Sequence, residues 1–280
     1  MRINSINNYC SYNCSPNFGV NLNSPKLNFA ESDFYVRING YGKYSDWAKI
    51  IKETADGAVN FIRKYCNFEE TLKRITAGVI KANQIPRDLD KRKHTGILRT
   101  KREGWNSKSD WGPDIITRYS KKPKNRYKTY ANRLEYRVGH PLKNPYCDIS
   151  LTRPVHDIDF GKFLEHGNAR AINNAFTRLN NIYAKLYSDY ILKDAKSADM
   201  PEINNSIAEM RWILAHATPW ERGSDAISNT LMRSIYKAMG IKTYPLKKGI
   251  SLDLEAYCTE LKDYQQKFAS YFDKPPMIVE

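Results

Sequence analysis

The residues with the clearest chemical potential are Arg222, Gly223 and Ser224, which stand between two strongly periodic segments. After Ser224, apolar residues recur at Ile227, Leu231, Ile235 and Met239, one face of a helix that Gly240 stops. Ser224 is then a natural N-cap. A helix beginning behind Gly-Ser offers backbone N–H groups and the positive end of its dipole, and Arg222 adds a permanent cation beside them. The combination suits a phosphate or carboxylate. An ordinary capped helix with an exposed arginine is the plainer alternative for so short a triplet. Downstream, past a short basic loop, Ser251 introduces Asp253-Leu254-Glu255 at the start of another helix.

No nucleophile announces itself. The chain has no G-x-S-x-G, no Cys-His signature, no H-E-x-x-H and no P-loop. Its five histidines never pair at helix spacing, so a metal centre is not expected. His156 with Asp157 and Asp159 could hold a hard cation, although such a loop trio is more often solvated. The five cysteines are scattered and odd in number, which reads as reduced and structural or incidental.

Charge is uneven. The excess of +15 is concentrated between Lys91 and Arg137, where fifteen Lys/Arg face four acids. Trp105, Trp111, Tyr119, Tyr127, Tyr130 and Tyr136 are threaded through it. Basic residues interleaved with aromatics fit a nucleotide or other small polyanion, a nucleic acid, or a solvated surface. No zinc-finger, RRM, KH or helix-turn-helix pattern accompanies them, so nucleic acid is the weaker reading.

The elements that must position these residues follow from periodicity. Residues 1–35 are rich in Asn and Ser and read as a disordered tail, with a short strand at Phe34–Ile38. The remainder, 36–280, reads as one domain. Ser45-Asp46 opens a helix with Trp47, Ile50, Ile51, Ala55, Ala58, Val59 and Ile62 on one face. Asn67 opens a second through Leu72, Ile75, Val79 and Ile80, closed by Pro86. From 88 to 165 prolines break the pattern; Leu134–Val138 and Cys147–Leu151 are candidate strands, and the region reads as an irregular lobe forming one wall of a cleft. Long helices resume at about 168 and at Pro201, and a last helix runs from Leu252 to Phe272. The expectation is a mainly α fold with a small β component. No apolar run approaches a membrane span, the N-terminus lacks the apolar core of a Sec signal peptide, and Arg2 stands where N-myristoylation requires glycine.

Several segments resemble the avirulence protein B (AvrB) family. These are Trp212, Thr218-Pro219, Glu221-Arg222-Gly223-Ser224, Gly240-Ile241, Pro245 and Asp253-Leu254-Glu255-Ala256, followed by Asp263 to Phe268. His166-Gly167-Asn168-Ala169 and Leu179 to Tyr183 keep the family's upstream spacing, and Asp114 to Thr117 is similar to a segment of its cleft. The resemblance implies a Fido-like helical core, the superfamily that also holds the Fic and Doc proteins. Their H-x-F-x-[DE]-G-N-[GK]-R motif is absent, since His166 to Arg170 lacks its Phe and acid.

AvrB-like proteins are associated with moving a deoxysugar from a nucleotide sugar to a Thr hydroxyl of a host protein. Position by position, the resemblance carries Arg222, Asp253, His166 and Thr117 into the cleft, with Gly223 and Ser224 beside the donor. It implies that Arg222 and the helix N-terminus neutralise a leaving pyrophosphate. An ionised Asp253 would act at the acceptor hydroxyl or the oxocarbenium ion, a neutral His166 would hydrogen-bond phosphate or base, and Thr117 would contact ligand through its hydroxyl. Structural alternatives are a helix cap for Asp253, a helix-start residue for His166 and a solvated Thr117. The implied partners are a nucleotide or nucleotide-sugar co-substrate, with no further cofactor, and a host target protein. The implied location is the cytoplasm or, by delivery without a Sec signal, a host cell. Fic-like nucleotidyl transfer and a non-catalytic host-binding module are the rival functions.

Overall fold

A computed structural model describes residues 27–34, 45–84, 93–101, 108–110, 125–159 and 161–279. Thr117, Pro86, Trp105, Trp111, Tyr119, residues 1–26 and residues 35–38 of the expected strand lie outside the described residues.

The expected helices are present. Helix α1 (Ser45–Ile62) buries Ala48, Ile51, Ala55, Ala58, Val59 and Ile62. Helix α2 (Phe68–Ala82) starts where Asn67 Oδ1 accepts the Glu70 N–H at 2.9 Å. The two pack together with no room to spare at Gly78, where a Cβ would collide with Thr54. Past the irregular region, helix α4 (Ala169–Leu186) is capped by Asn168 Oδ1, which accepts the Ala171 N–H at 3.0 Å, and runs on into a π turn at Tyr187–Ile191. Helix α5 (Met200–Ala217) has Pro201 in its first turn, and α6 follows at Ser224–Ala238. Helix α5 is the hub: it packs on α4 and α6 and on the two short helices near the C-terminus. Every residue from Met210 to Ala217 is buried, so this half of the helix has no polar face.

Three expectations change. Leu134–Val138 is part of a helix, α3 (Asn125–Gly139), which buries Tyr130 and Leu134 one turn apart. Two buried positions among the described side chains of a basic, Tyr-rich segment left the helical period faint. Cys147–Leu151 is not a strand. The strands lie just downstream, where β2 (Arg153–Asp157) and β3 (Gly161–Glu165) form a hairpin with Val155 opposite Phe163. Strand β1 (Lys108–Asp110) joins the far edge of β3, giving the antiparallel order β1-β3-β2. Pro154 is tolerated because β2 is an edge strand.

The last predicted helix is two: α7 (Leu252–Cys258) and α8 (Leu261–Phe268), followed by a 3-10 turn at Ala269–Tyr271. Thr259 is extended between them. Its carbonyl accepts the Trp212 Nε1–H at 2.9 Å and its hydroxyl accepts from Arg133 Nη2 at 2.9 Å, bonds that compete with helix continuation.

A two-stranded pair, β4 (Ile241–Lys242) with β5 (Met277–Ile278), completes a mainly α fold with a small antiparallel β component. The described residues 27–34 join the core. Phe29 and Phe34 are buried edge to face, with Lys237 Nζ 4.2 Å from the Phe29 ring. Cys66, Cys147 and Cys258 are free thiols, and burial pushes Cys258 up to about 12. No helix among the described residues is long and apolar enough to cross a membrane.

Candidate functional site

The N-terminus of α6 differs from the expected capped form. Its N-cap is Gly223, in the left-handed region at φ 87°, and Ser224 is the first helical residue. A side chain at 223 would be strained by that φ, and its Cβ would lie 3.2 Å from Thr95 Cγ2. Ser224 is buried, and its hydroxyl turns back to donate to the Trp220 carbonyl at 3.1 Å and accept the Trp220 N–H at 3.3 Å. Ser224 can therefore meet a ligand only through its backbone.

Arg222 is exposed at this end of α6. A second segment straps along it. Gly96 N–H donates to the Arg222 carbonyl, Glu221 N–H to the Ile97 carbonyl and Arg99 N–H to the Pro219 carbonyl, at 3.1, 2.9 and 2.8 Å. His94 Nδ1 meets Glu221 Oε2 at 2.6 Å. Arg99 Nε donates to the Thr218 carbonyl at 2.9 Å, which sets a second guanidinium beside Arg222 and Tyr257. Burial lowers the Arg99 pKa first, Tyr257 and Glu221 oppose that, and the like charge of Arg222 adds to it.

Asp253 is where the geometry is most unusual. Arg211, its side chain 1% exposed in the apolar half of α5, directs Nη2 at two carboxylates: Asp253 Oδ1 at 2.8 Å and Asp225 Oδ1 at 3.0 Å. Asp225 is the second residue of α6, so the pair abuts the helix N-terminus. Asp225 Oδ2 accepts from Asn229 Nδ2 at 3.0 Å. Among the described residues, Arg211 Nε and Nη1 and Asn229 Oδ1 are buried without hydrogen-bond partners. Burial and the Asp225 charge push Asp253 up to about 7, against the pull of Arg211. The expected helix-end stabilisation of an ionised Asp253 is thus overridden by loss of water and a neighbouring like charge. Tyr257, one turn on, carries its hydroxyl 3.4 Å from Thr218 Oγ1. Because Thr218 Oγ1 donates to the Ala215 carbonyl at 2.6 Å, the tyrosine is the donor of that contact.

His166 is buried at the end of the hairpin. Nδ1 lies 2.8 Å from Thr152 Oγ1, which itself donates to the His216 carbonyl at 2.6 Å. The hydroxyl has one proton, so Nδ1 carries the imidazole hydrogen and Nε2 accepts from Ser109 Oγ. Burial, then the charge of Arg99, lowers His166 to about 3. Both of its ring nitrogens are used within the fold. A direct bond to phosphate or base is replaced by a structural role joining sheet and helices. His216, also lowered to about 3 by burial, lies beside the backbone of Ala256 and Thr152, and among the described residues no hydrogen bond of good geometry reaches its ring nitrogens.

The fold therefore brings Arg222, Gly223, Ser224 and Asp253 to one place, with His166 linked through Arg99. Thr117 falls outside the described residues. Sequence reasoning missed Arg211, Asp225, Arg99 and Tyr257. The usable signal was a lone arginine inside the run Met210 to Ala217, which demands a buried anion. The basic-aromatic stretch divides. Tyr130, Arg133 and Arg137 serve the fold, bonding Glu255, Thr259 and the Cys258 carbonyl. His156 pairs with Glu135 at 3.1 Å, and Asp157 accepts the Asp159 N–H. Two clefts lie away from Asp253: one of about 280 Å³ at Arg133, Tyr136 and Arg137, and one of about 450 Å³ at Asp148, Asn168 and Arg170. Neither sets two carboxylates on one guanidinium, as the α6–α7 cluster does.

Residues 137–275, about half the chain, match the avirulence protein family AvrB_AvrC. Over 110 residues, 39% of this chain, it is 29% identical to avirulence protein B of Pseudomonas savastanoi pv. glycinea. The matched part spans about a third of that relative, 32% of its length. Arg211, Arg222, Asp225 and Asp253 all lie within the family match.

Proposed function

We propose that this AvrB-like chain is a bacterial effector that transfers a sugar, of deoxyhexose type, from a nucleotide sugar to a Thr or Ser hydroxyl of a host protein. The observation that supports this best is the juxtaposition of Asp253 with the α6 N-terminus. Asp253 Oδ1 is held by Arg211, its side chain is 16% exposed, and Oδ2 has no hydrogen bond among the described residues. The acceptor hydroxyl gives its proton to that carboxylate, its oxygen bonds to the anomeric carbon, and the bond from that carbon to the diphosphate oxygen breaks. The departing nucleoside diphosphate carries the electron pair. Arg222, with Arg99 behind it, and the first backbone N–H groups of α6 receive its charge. A base with an acidity near neutral is well matched to that proton transfer.

The test is intact-protein and peptide mass spectrometry of a host proteome co-expressed with the chain. The expected outcome is a deoxyhexose-type mass on Thr or Ser. A nucleotide mass would favour nucleotidyl transfer, and no adduct would favour a binding module. Arg222→Ala is expected to weaken nucleotide-sugar binding by about 10²-fold, with Arg222→Lys recovering part, because lysine lacks the bidentate fork. Calorimetry showing equal affinity would place the anion seat elsewhere.

A further inference from the structure

Arg211 presents a charge imbalance that the transfer reading does not use. One guanidinium nitrogen, Nη2, serves two carboxylates at 2.8 and 3.0 Å. One positive charge balances one carboxylate, so with both ionised the trio carries a net negative charge beside an apolar helix. The two aspartates are not equivalent. Asp225 has both oxygens bonded, to Arg211 and Asn229, and its side chain is 41% exposed. Asp253 has a single bonded oxygen and is 16% exposed. Loss of water and the lack of a second hydrogen bond both favour a proton on Asp253.

We propose that Asp225 is a positioning residue for the transfer reaction: its fixed charge, delivered through the shared Arg211 nitrogen, sets how readily Asp253 takes the proton of the acceptor hydroxyl. This rests on the transferase reading for its purpose, but not for its physics. The other groups facing Asp253 are Tyr257 on its own helix and Tyr264 on α8, with Arg99 behind Tyr257. Both tyrosines are held protonated by burial, so near neutral pH neither competes with Asp225 as a source of negative charge.

The experiment is a carboxyl ¹³C NMR titration of Asp253 in the full chain, in wild type and in Asp225→Asn. The substitution removes the charge and keeps the shape. The Asn229 amide can rotate so that its unpartnered Oδ1 accepts from the new amide. Asp225→Ser, which also removes the charge, is read instead should Asp225→Asn fail to fold. The Asp253 midpoint is expected to fall by about one unit or more. The acidic limb of the transfer rate should move down with it, while KM for the nucleotide sugar changes little. A midpoint unchanged within about 0.3 units in the folded variant overturns the proposal; a shift of one unit is about 1.4 kcal/mol, well above that margin. An inactive wild type with a displaced midpoint removes the transfer reaction while the paired carboxylates stand, so the two failures are distinguishable.

Discussion

Two acids on α7, Asp253 and Glu255, lie two residues apart and meet opposite surroundings. Glu255 has one carboxylate for one guanidinium. Oε1 accepts from Tyr130 at 2.5 Å, Arg133 Nη1 reaches both oxygens at 3.2 and 3.1 Å, and Tyr271 approaches Oε2 at 3.4 Å. Asp253 shares its guanidinium with a second acid, and atoms of that network are left without partners. On the proposed reading, the difference separates scaffold from site. A saturated, neutral cluster fastens α3 to α7, whereas an unsaturated one with surplus charge is held in place by the fold and is open to outside chemistry.

The sharpest way to break this comparison is to exchange charge for shape at each acid. Asp253→Asn should lower sugar transfer by roughly 10²–10⁴-fold with donor affinity and melting temperature close to wild type. Unaltered modification of the target would remove Asp253 from the mechanism. Arg211→Met comes next and acts on stability, because it strips the shared cation from two carboxylates; a loss of about 3–5 kcal/mol in urea denaturation is expected. A loss below about 1 kcal/mol would mean that the aspartates relax to water and that the trio is not a strained unit.

Glu255→Gln should cost about 1–3 kcal/mol of stability and leave the transfer rate per folded molecule unchanged. A fall in rate comparable with that of Asp253→Asn would erase the distinction between the two acids. The smallest effect is in the pH dependence of stability. His166 and His216, each lowered to about 3, exclude protons that the unfolded chain binds below about 6.5, so folding weakens as pH falls from there. Asp253, raised to about 7, binds a proton that the unfolded chain releases above about 4, so it strengthens folding over the same interval. Asp253→Asn should therefore steepen the loss between pH 6 and 4.5 by about 1.4 kcal/mol per unit. Parallel denaturation series on wild type and variant would show it, and equal slopes would contradict the proton held on Asp253.

How far the sequence revealed these features depended on what each residue signals locally. Helix α6 was legible because its apolar spacing and Gly240 act within a few residues. Its first residue was misplaced because the turn needed the left-handed φ of Gly223, which also makes room for Thr95, a contact from far away in the chain. Helix α3 was missed because, among its described side chains, Tyr130 and Leu134 alone mark a buried face. The break at Thr259 was invisible because its cause, Trp212 and Arg133, lies elsewhere in the sequence. Asp253 and Arg222 were reachable by resemblance, but the Arg211–Asp225 partnership required three helices to be assembled first.

The strap between His94–Arg99 and Thr218–Arg222 has a bearing on the order in which the protein folds. Its contacts join residues 119 and 127 positions apart, from Arg99 to Thr218 and from His94 to Glu221. Helices α4, α5 and α6 follow one another along the chain and reach each other through short connections. Closing a loop of more than a hundred residues carries an entropic charge that neighbouring helices avoid, so α4, α5 and α6 can condense before the rim around Arg222 closes. By the same reasoning the rim can come undone, and the proposed anion seat with it, while the core that holds Arg211 in place remains shut.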